Sequence, residues 1–278
     1  MPWISRGLRD GVVTTGYPRR PDGYDEDFHG SVEVIGPTSR NDLQRVVSLC
    51  PTRAIDADNT TLTLDRGACI LCGRCVEALP EVFRFSSSVE TSSLGRSSLV
   101  VPYVTEDDDG LASAREELAR RVRSLRRSVH VRHVDAGSDG ADEWEVAALS
   151  NPIYDVQRLG IFFTASPRHA DVLLVTGVGA IGMDGPLRET WEAMPHPKVV
   201  VAAGVEAISG GLFATSYATS GGVSGLVPVD VFVPGSPATP FGLLHGLLRA
   251  VNLLNEATPP RTTNQEPDQS APGNGGIG

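Results

Sequence analysis

All four cysteines of this chain fall between positions 50 and 75. Three form the run Cys69-Ile70-Leu71-Cys72-Gly73-Arg74-Cys75, and Cys50 is followed by Pro51. A tight loop with a thiol at every third position can place three thiolates around one multi-iron core. Gly73 lets such a loop turn without a Cβ clash, and the loop amides can then point at the sulfurs. The fourth thiolate must come from elsewhere, and Cys50 supplies it with no thiol left over. The spacing therefore predicts one [4Fe-4S] cluster on Cys50, Cys69, Cys72 and Cys75, in an electron carrier. A disulfide scaffold would show paired spacings in a secreted chain. Zinc sites usually pair two C-x2-C units, and zinc stays as the alternative.

Composition excludes some other readings. The chain has 278 residues and is 40% hydrophobic, enough for one large domain or two ordinary ones. Its net charge of −10 argues against a nucleic-acid partner. No apolar run approaches the length of a membrane span, and no signal-peptide core is expected at the start. Thiolates without disulfide patterning predict a cytoplasmic protein.

Residues 30–85 resemble a two-cluster bacterial ferredoxin that has lost one cluster. In that family two runs of C-x2-C-x2-C-x3-C-P occur, and the last cysteine of each run serves the other cluster. Here Cys69, Cys72 and Cys75 are followed by Leu79-Pro80, and Cys50-Pro51 ends the other run. Arg40, Leu43, Val46 and Leu79 stand where the ligands of the second cluster would be. Upstream, Gly11-Val12-Val13-Thr14-Thr15-Gly16-Tyr17-Pro18 and His29-Gly30 resemble the leader of ferredoxin subunits in membrane-bound hydrogenase, formate hydrogenlyase and respiratory complex I.

The chain divides into a leader (1–30), a ferredoxin-like unit (31–105), a linker helix (106–128), a second domain (129–256) and a Pro/Gly/Asn-rich tail (257–278) expected to be disordered. A hairpin-like stretch is expected from Phe83 to Val101. In the linker, Leu111, Ala114, Leu118, Val122 and Leu125 share one helical face after an acidic start. Arg120, Arg121, Arg123, Arg126 and Arg127 form a basic patch, either a solvated face or a dock for an acidic partner or anionic lipid. In the second domain, strands are expected at Val129–Val134, Ile161–Thr164, Val172–Thr176, Val199–Ala203 and Val229–Val233. Helices are expected at Glu143–Leu149, Pro186–Ala193 and Phe241–Leu254. The fold class is an α+β ferredoxin-like domain followed by an α/β flavodoxin-like domain with a mainly parallel sheet; alternating strands and helices predict the sheet.

The second domain resembles the small subunit of energy-converting [NiFe] hydrogenases and, more distantly, the cluster-bearing small subunit of complex I. The resemblance rests on Val131–Ser138, Leu149–Asp155, Ser166–Gly177 and Val233–Pro237. It implies the flavodoxin-like fold and a terminal cluster beside a large subunit. The family's cluster cysteines fall at Asp139, Asp142, Glu206 and Ser236, all oxygen residues here, which do not normally replace thiolates around a cubane. Three readings of this site stay open. It has collapsed into hydrogen bonds and salt bridges, for example to Arg132 or Arg168. It holds a hard cation. Or its acids relay protons, with pKa values raised by mutual repulsion.

Together the resemblances imply an iron–sulfur electron-transfer subunit, peripheral on the inner face of the cell membrane. Its partners would be a large hydrogenase-like subunit, membrane antiporter-like subunits and an electron donor or acceptor protein. The alternative is a structural or coupling subunit whose cluster is a sensor or staple. Val178-Gly179-Ala180-Ile181-Gly182 is a poor match to a nucleotide loop. His133 and His169 are read as fold residues, and Tyr154, Phe162 and Phe163 as core.

Overall fold

The computed structural model describes residues 2–18, 29–36, 40–57, 62–102 and 128–251. The expected linker helix, its arginines and the expected tail lie outside the described residues.

The first half carries helices α1 (Pro2–Asp10), α2 (Arg40–Leu49) and α3 (Arg74–Ala78) and strands β1 (Ser31–Val34), β2 (Ile55–Ala57), β3 (Leu62–Asp65), β4 (Phe83–Ser86) and β5 (Val100–Val101). β1 and β4 pair antiparallel, with Val34 opposite Phe83. β2, β3 and β5 form a second antiparallel sheet. Val32, Val46, Ile55, Leu64, Leu79 and Phe83 build a small core between these pieces. The expected hairpin is absent. β4 pairs with β1 and β5 with β3, because the chain between them leaves the first half and runs along the second.

The second half is built on β6 (Val129–Asp135), β7 (Ile161–Phe163), β8 (Val172–Thr176), β9 (Val199–Ala203) and β10 (Val231–Val233). Their order is β10-β9-β8-β6-β7, and every pair is parallel. Counted within the domain this is the flavodoxin-like order 2-1-3-4-5, with its topological switch between β6 and β8. Helices α4 (Ala141–Ala148), α5 (Asp184–Ala193), α6 (Gly204–Ser209) and α7 (Pro240–Ala250) connect or cover the strands. β8 and β9 are buried at every residue, as parallel strands covered on both faces should be. Val172 and Leu174 join Leu244 and Leu247 of α7 on one face. Leu173 and Val175 join Leu187 of α5 and Ile208 of α6 on the other, which is the period-two alternation of a strand.

Three features differ from expectation. α6 was unexpected, since its six residues lie between glycines and show no helical period long enough to read. α1 was unexpected as well, inside what reads as a leader. Phe162 and Phe163 are exposed rather than core, because β7 is an edge strand and only Ile161 turns fully inward. The loop at Val178–Ile181 spends its amides on backbone: Val178 N–H donates to Gly137 O, Ala180 N–H to Ala136 O and Ile181 N–H to Ala218 O. None of these three amides is left for a phosphate.

The halves are joined along the 92–99 strap. Ser93 bridges to Phe232, Leu99 packs into the second half's core, and Arg96 closes a two-pronged ion pair on Asp65. Beside it the Ser92 hydroxyl lies 2.7 Å from His245 Nδ1, and Arg249 donates to Ser92 O. Burial, then the Arg249 charge, pushes His245 down to about 3, so this ring stays neutral through the physiological range. Upstream, Tyr17 packs edge-on against Phe241 at 5.7 Å, so the leader is pinned to the second half.

Candidate functional site

The turn after β3 leads into the loop 69–73, and α3 begins directly behind it. Gly73 has φ +74°, and Leu71 and Arg53 take left-handed values as well, +56° and +55°. A left-handed non-glycine residue is uncommon and costs on the order of 1 kcal/mol. Two of them flank the thiols, and the turns they make fold two loops around one hollow. Cys50, Cys69, Cys72 and Cys75 all line this pocket of about 350 Å3, open mouth included, with Val32, Ile55 and Leu64 at its apolar back. Cys75 is buried, Cys50 and Cys69 are half-buried, and Cys72 is exposed.

The sulfurs meet backbone donors. Ala54 N–H lies 3.2 Å from Cys50 Sγ, and the amides of Leu71 and Val76 bond to Cys69 and Cys75. Burial pushes the Cys69 thiol up to about 12, with the other three sulfurs adding to the effect and the Leu71 amide opposing it. Cys75 is raised for the same reasons, burial first. Four crowded thiolates need positive charge among them, and a multi-iron core provides it. Among the described residues no three His, Cys, Asp or Glu side chains converge as on one ion. A single zinc needs its donors about 2.0–2.3 Å from one centre, whereas a cubane takes one thiolate per iron around a wider core. A pocket ringed by sulfurs and backed by aliphatic side chains fits the cubane.

Two of the four positions where the resemblance places a second cluster's ligands have described side chains. Val46 and Leu79 are packed in the core, and the side chains of Arg40 and Leu43 lie outside the described residues.

The carboxyl ends of β6, β8, β9 and β10 carry the acidic cluster. Asp142, in the first turn of α4, is 4% exposed, and its Oδ1 accepts the Ala238 amide at 2.7 Å. Its carboxylate lies against Gly204, where a Cβ would come within 2.0 Å of Oδ2. Glu206, on α6, accepts the Asp139 amide, while its Oε2 is buried with no partner. Asp139 and Ser236 are exposed, and Asp139 Oδ1 accepts the Ala141 amide. Asp142 and Glu206 are both raised to about 7, by burial first and neighbouring carboxylates second. The expected mutual repulsion is thus the smaller cause. No ion pair to Arg132 or Arg168 is present among the described residues; backbone amides serve these acids instead.

Glu143 was not singled out from the sequence. Burial raises its pKa, but Ser138 and Thr176 hydroxyls donate to it and bring it below the usual range. His133 Nε2 lies 2.9 Å from Thr176 Oγ1, and burial lowers the pKa of that ring. Since Thr176 gives its proton to Glu143, His133 is assigned as donor through Nε2–H. The parallel β6–β8 register, which sets Asp135 opposite Thr176, gathers these groups. That register is the one signal that could have found Glu143 in advance.

Residues 140–250 match the family described as NADH ubiquinone oxidoreductase, 20 Kd subunit, and residues 62–101 match the 4Fe-4S single cluster domain. The chain is similar to formate hydrogenlyase subunit 7 of Escherichia coli (strain K12), 36% identical over 171 residues, which cover 62% of this chain and 66% of that protein. It is 38% identical over 146 residues to the probable membrane-bound hydrogenase subunit mbhJ of Pyrococcus furiosus, covering 51% of this chain and 87% of that protein. It is 44% identical over 103 residues to an NADH-quinone oxidoreductase subunit of Hydrogenobaculum sp., covering 37% of this chain and 58% of that protein. The chain thus spans just under two thirds of the first of these relatives and less of the third. With a parallel sheet in flavodoxin order behind a cysteine-lined pocket, the chain belongs to the family of the 20 kDa subunit of NADH ubiquinone oxidoreductase, with a 4Fe-4S single cluster domain matched in front of that family's domain.

Proposed function

We propose that this chain is an electron-transfer subunit of a membrane-associated oxidoreductase of the hydrogenase or complex I kind, carrying one [4Fe-4S] cluster. Cys50, Cys69, Cys72 and Cys75 hold it, and the observation that carries the reading is that all four cysteines of the chain line one pocket. A cubane bound there supplies one-electron chemistry. The chain's own residues set its environment. The Ala54, Leu71 and Val76 amides face the sulfurs, aliphatic side chains dry the back, and exposed Cys72 marks the side open to exchange. No residue needs to move a proton for this task. The partners are a large hydrogenase-like subunit, membrane antiporter-like subunits and an electron donor or acceptor protein. Relatives bearing the names formate hydrogenlyase and membrane-bound hydrogenase support that setting, with attachment peripheral on the inner face of the cell membrane.

One observation favours a second reading, a structural or coupling subunit with the cluster as staple or sensor. Acids stand at Asp139, Asp142 and Glu206 and a hydroxyl at Ser236, so the second half offers no thiolate for an onward cluster. Anaerobic purification with iron and sulfide analysis and redox-poised EPR tests both. The first reading expects about four irons per chain, a reversible one-electron signal, and loss of both in Cys75→Ser. One zinc per chain, or iron content indifferent to Cys75→Ser, overturns it. A cluster reducible only as the protein unfolds selects the second reading.

A further inference from the structure

The two thiol-bearing loops meet at the turn that follows β3. Asp65 closes that strand and donates its N–H to Ala54 O at 2.7 Å. Ala54 N–H in turn lies 3.2 Å from Cys50 Sγ. On the other side Asp65 Oδ1 accepts the Gly67 N–H at 2.8 Å, two residues before Cys69. One aspartate thus fixes the backbone that delivers Cys69 and ties it to the backbone that serves Cys50.

The opposite charge comes from the 92–99 strap. Arg96 Nη1 donates to Asp65 Oδ1 at 2.7 Å and Nη2 to Oδ2 at 2.5 Å, the forked geometry that makes such pairs strong. Arg96 stands between two anchors on the second half. Ser93 exchanges both backbone bonds with Phe232, and Leu99 is buried in that half's core. The guanidinium also packs on Gly67, where a Cβ would come within 2.9 Å of Arg96 Cζ and within 2.9 Å of Ile208 Cγ2 on α6. The cysteine turn, the arginine and the second half therefore close on one another. The Arg96 and Asp65 side chains are 35% and 26% exposed, so salt screens them less than open surface charges.

We propose that Arg96 is a positioning residue for the electron transfer: reaching over from the second half, it neutralises Asp65 and sets the potential of a cluster held by the four cysteines. This rests on the electron-transfer reading above. The potential of such a cluster follows the net charge around it as well as the bonds to its sulfurs. Asp65 is a negative charge in the turn that leads into the ligand loop. Alone it disfavours the arrival of an electron, because like charges repel. Paired with Arg96 it acts at a distance as a nearly neutral group. The second half offers no thiolate of its own at Asp139, Asp142, Glu206 and Ser236, yet through Arg96 it acts on the cluster of the first half.

The test is an EPR-monitored redox titration of the full-length holoprotein, with release of iron to a chelator timed alongside. Arg96→Gln leaves Asp65 unpaired and should shift the redox equilibrium about tenfold toward the oxidised form, which is 59 mV for one electron. Asp65→Asn keeps an acceptor for the Gly67 N–H, leaves Arg96 unpaired, and should raise the potential by a similar amount. Asp65→Asn/Arg96→Gln removes both charges and should return the potential to that of the wild type. Arg96→Lys keeps the charge and loses the fork, so it should keep the potential while iron is released faster. Arg188→Gln removes the same charge from the exposed pair with Asp184 on α5 and should change neither reading. Shifts of the same sign in Arg96→Gln and Asp65→Asn overturn the proposal, since loosening rather than charge then governs the cluster. So does a potential that moves no more than in Arg188→Gln. Where Arg96→Gln holds no iron, Asp65→Asn and the double variant decide by the same criterion. A wild type without iron removes the electron-transfer reading itself, whereas a wild-type cluster indifferent to these charges leaves that reading standing and removes this inference.

Discussion

In the first half, Val46 and Leu79 stand where the resembled two-cluster ferredoxins place cysteine ligands, and they are 0% and 5% exposed in that half's core. In the second half, Asp142 and Glu206 stand where the resembled small subunits place theirs. Asp142 is as deeply buried as Leu79, at 4% exposed, yet it is a carboxyl with one amide on Oδ1. Glu206 has a buried oxygen with no partner. Burying a valine or leucine contributes roughly 1.5–3 kcal/mol, so the first site is closed by the same force that folds the domain. Burying a carboxylate costs free energy unless it is paired or takes up a proton. The second site therefore stays polar, at the carboxyl ends of the strands beside the sheet's switch point, where open α/β sheets do their chemistry. The two sets of positions therefore differ physically within one chain, one inert and one titratable.

The comparison breaks most easily from the apolar side. Val46→Asp places a carboxyl in a core with no amide prepared to receive it, and should cost about 4 kcal/mol or prevent folding of the first half. Urea-induced release of the cluster measures this, with Val46→Ala as a milder control at about 2 kcal/mol. If Val46→Asp is tolerated as well as the native Asp142, the two sites do not differ in kind.

A smaller effect sharpens the acidic side. Gly204 has φ +84°, and a Cβ there would meet Asp142 Oδ2 at 2.0 Å. Gly204→Ala should therefore destabilise by about 3 kcal/mol, part from backbone strain and part from the collision. Asp142→Ala in the same chain removes the collision and should restore about 1 kcal/mol of that loss, the coupling expected of residues in contact. Strict additivity in the urea midpoints would mean that the carboxyl is not held against Gly204.

Much of this fold could be read in the sequence, for reasons that differ by element. β8 and β9 are apolar apart from the closing Thr176, and their limits, Val172–Thr176 and Val199–Ala203, match expectation residue for residue, because each run, buried on both faces, starts after a charged residue, Asp171 or Lys198, and stops at a glycine, Gly177 or Gly204. The gathering of the four cysteines in one pocket was readable because they come from one loop and one Cys-Pro. The strap was not. Ser92 and Ser93 look like hairpin residues, and their partners His245 and Phe232 lie more than a hundred positions away. The acids were located by resemblance, but their state was not readable. Whether Asp142 and Glu206 are charged depends on burial, and burial depends on Ala238, Gly204 and Asp139 arriving from three different loops or helix starts.

The smallest effect is the dependence on pH, and it decides whether the acidic site is active or merely tolerated. Asp142 takes its proton at about 7 in the folded chain against 3.8 for the free side chain. Between those values the native state holds a proton that the unfolded state has lost, so stability falls as pH rises through that window and levels off above it. Glu206 is shifted in the same direction, from 4.5 to about 7, and adds to the slope. Glu143 is shifted the other way, so its contribution is lost on acidification below the ordinary carboxylate range and leaves the window from pH 5 to 8 untouched. At about 1.4 kcal/mol per unit the Asp142 shift is worth at most about 4 kcal/mol, which relaxation and water entry reduce to about 2. Asp142→Asn keeps the acceptor for the Ala238 amide and removes the titration. It should match the wild type near pH 5, exceed it by about 2 kcal/mol at pH 8, and flatten the curve of urea midpoint against pH. Glu206→Gln should flatten it less, because Glu206 is more exposed. If the slope survives Asp142→Asn, then Asp142 is as silent as Leu79, and the contrast between the two halves is one of composition only.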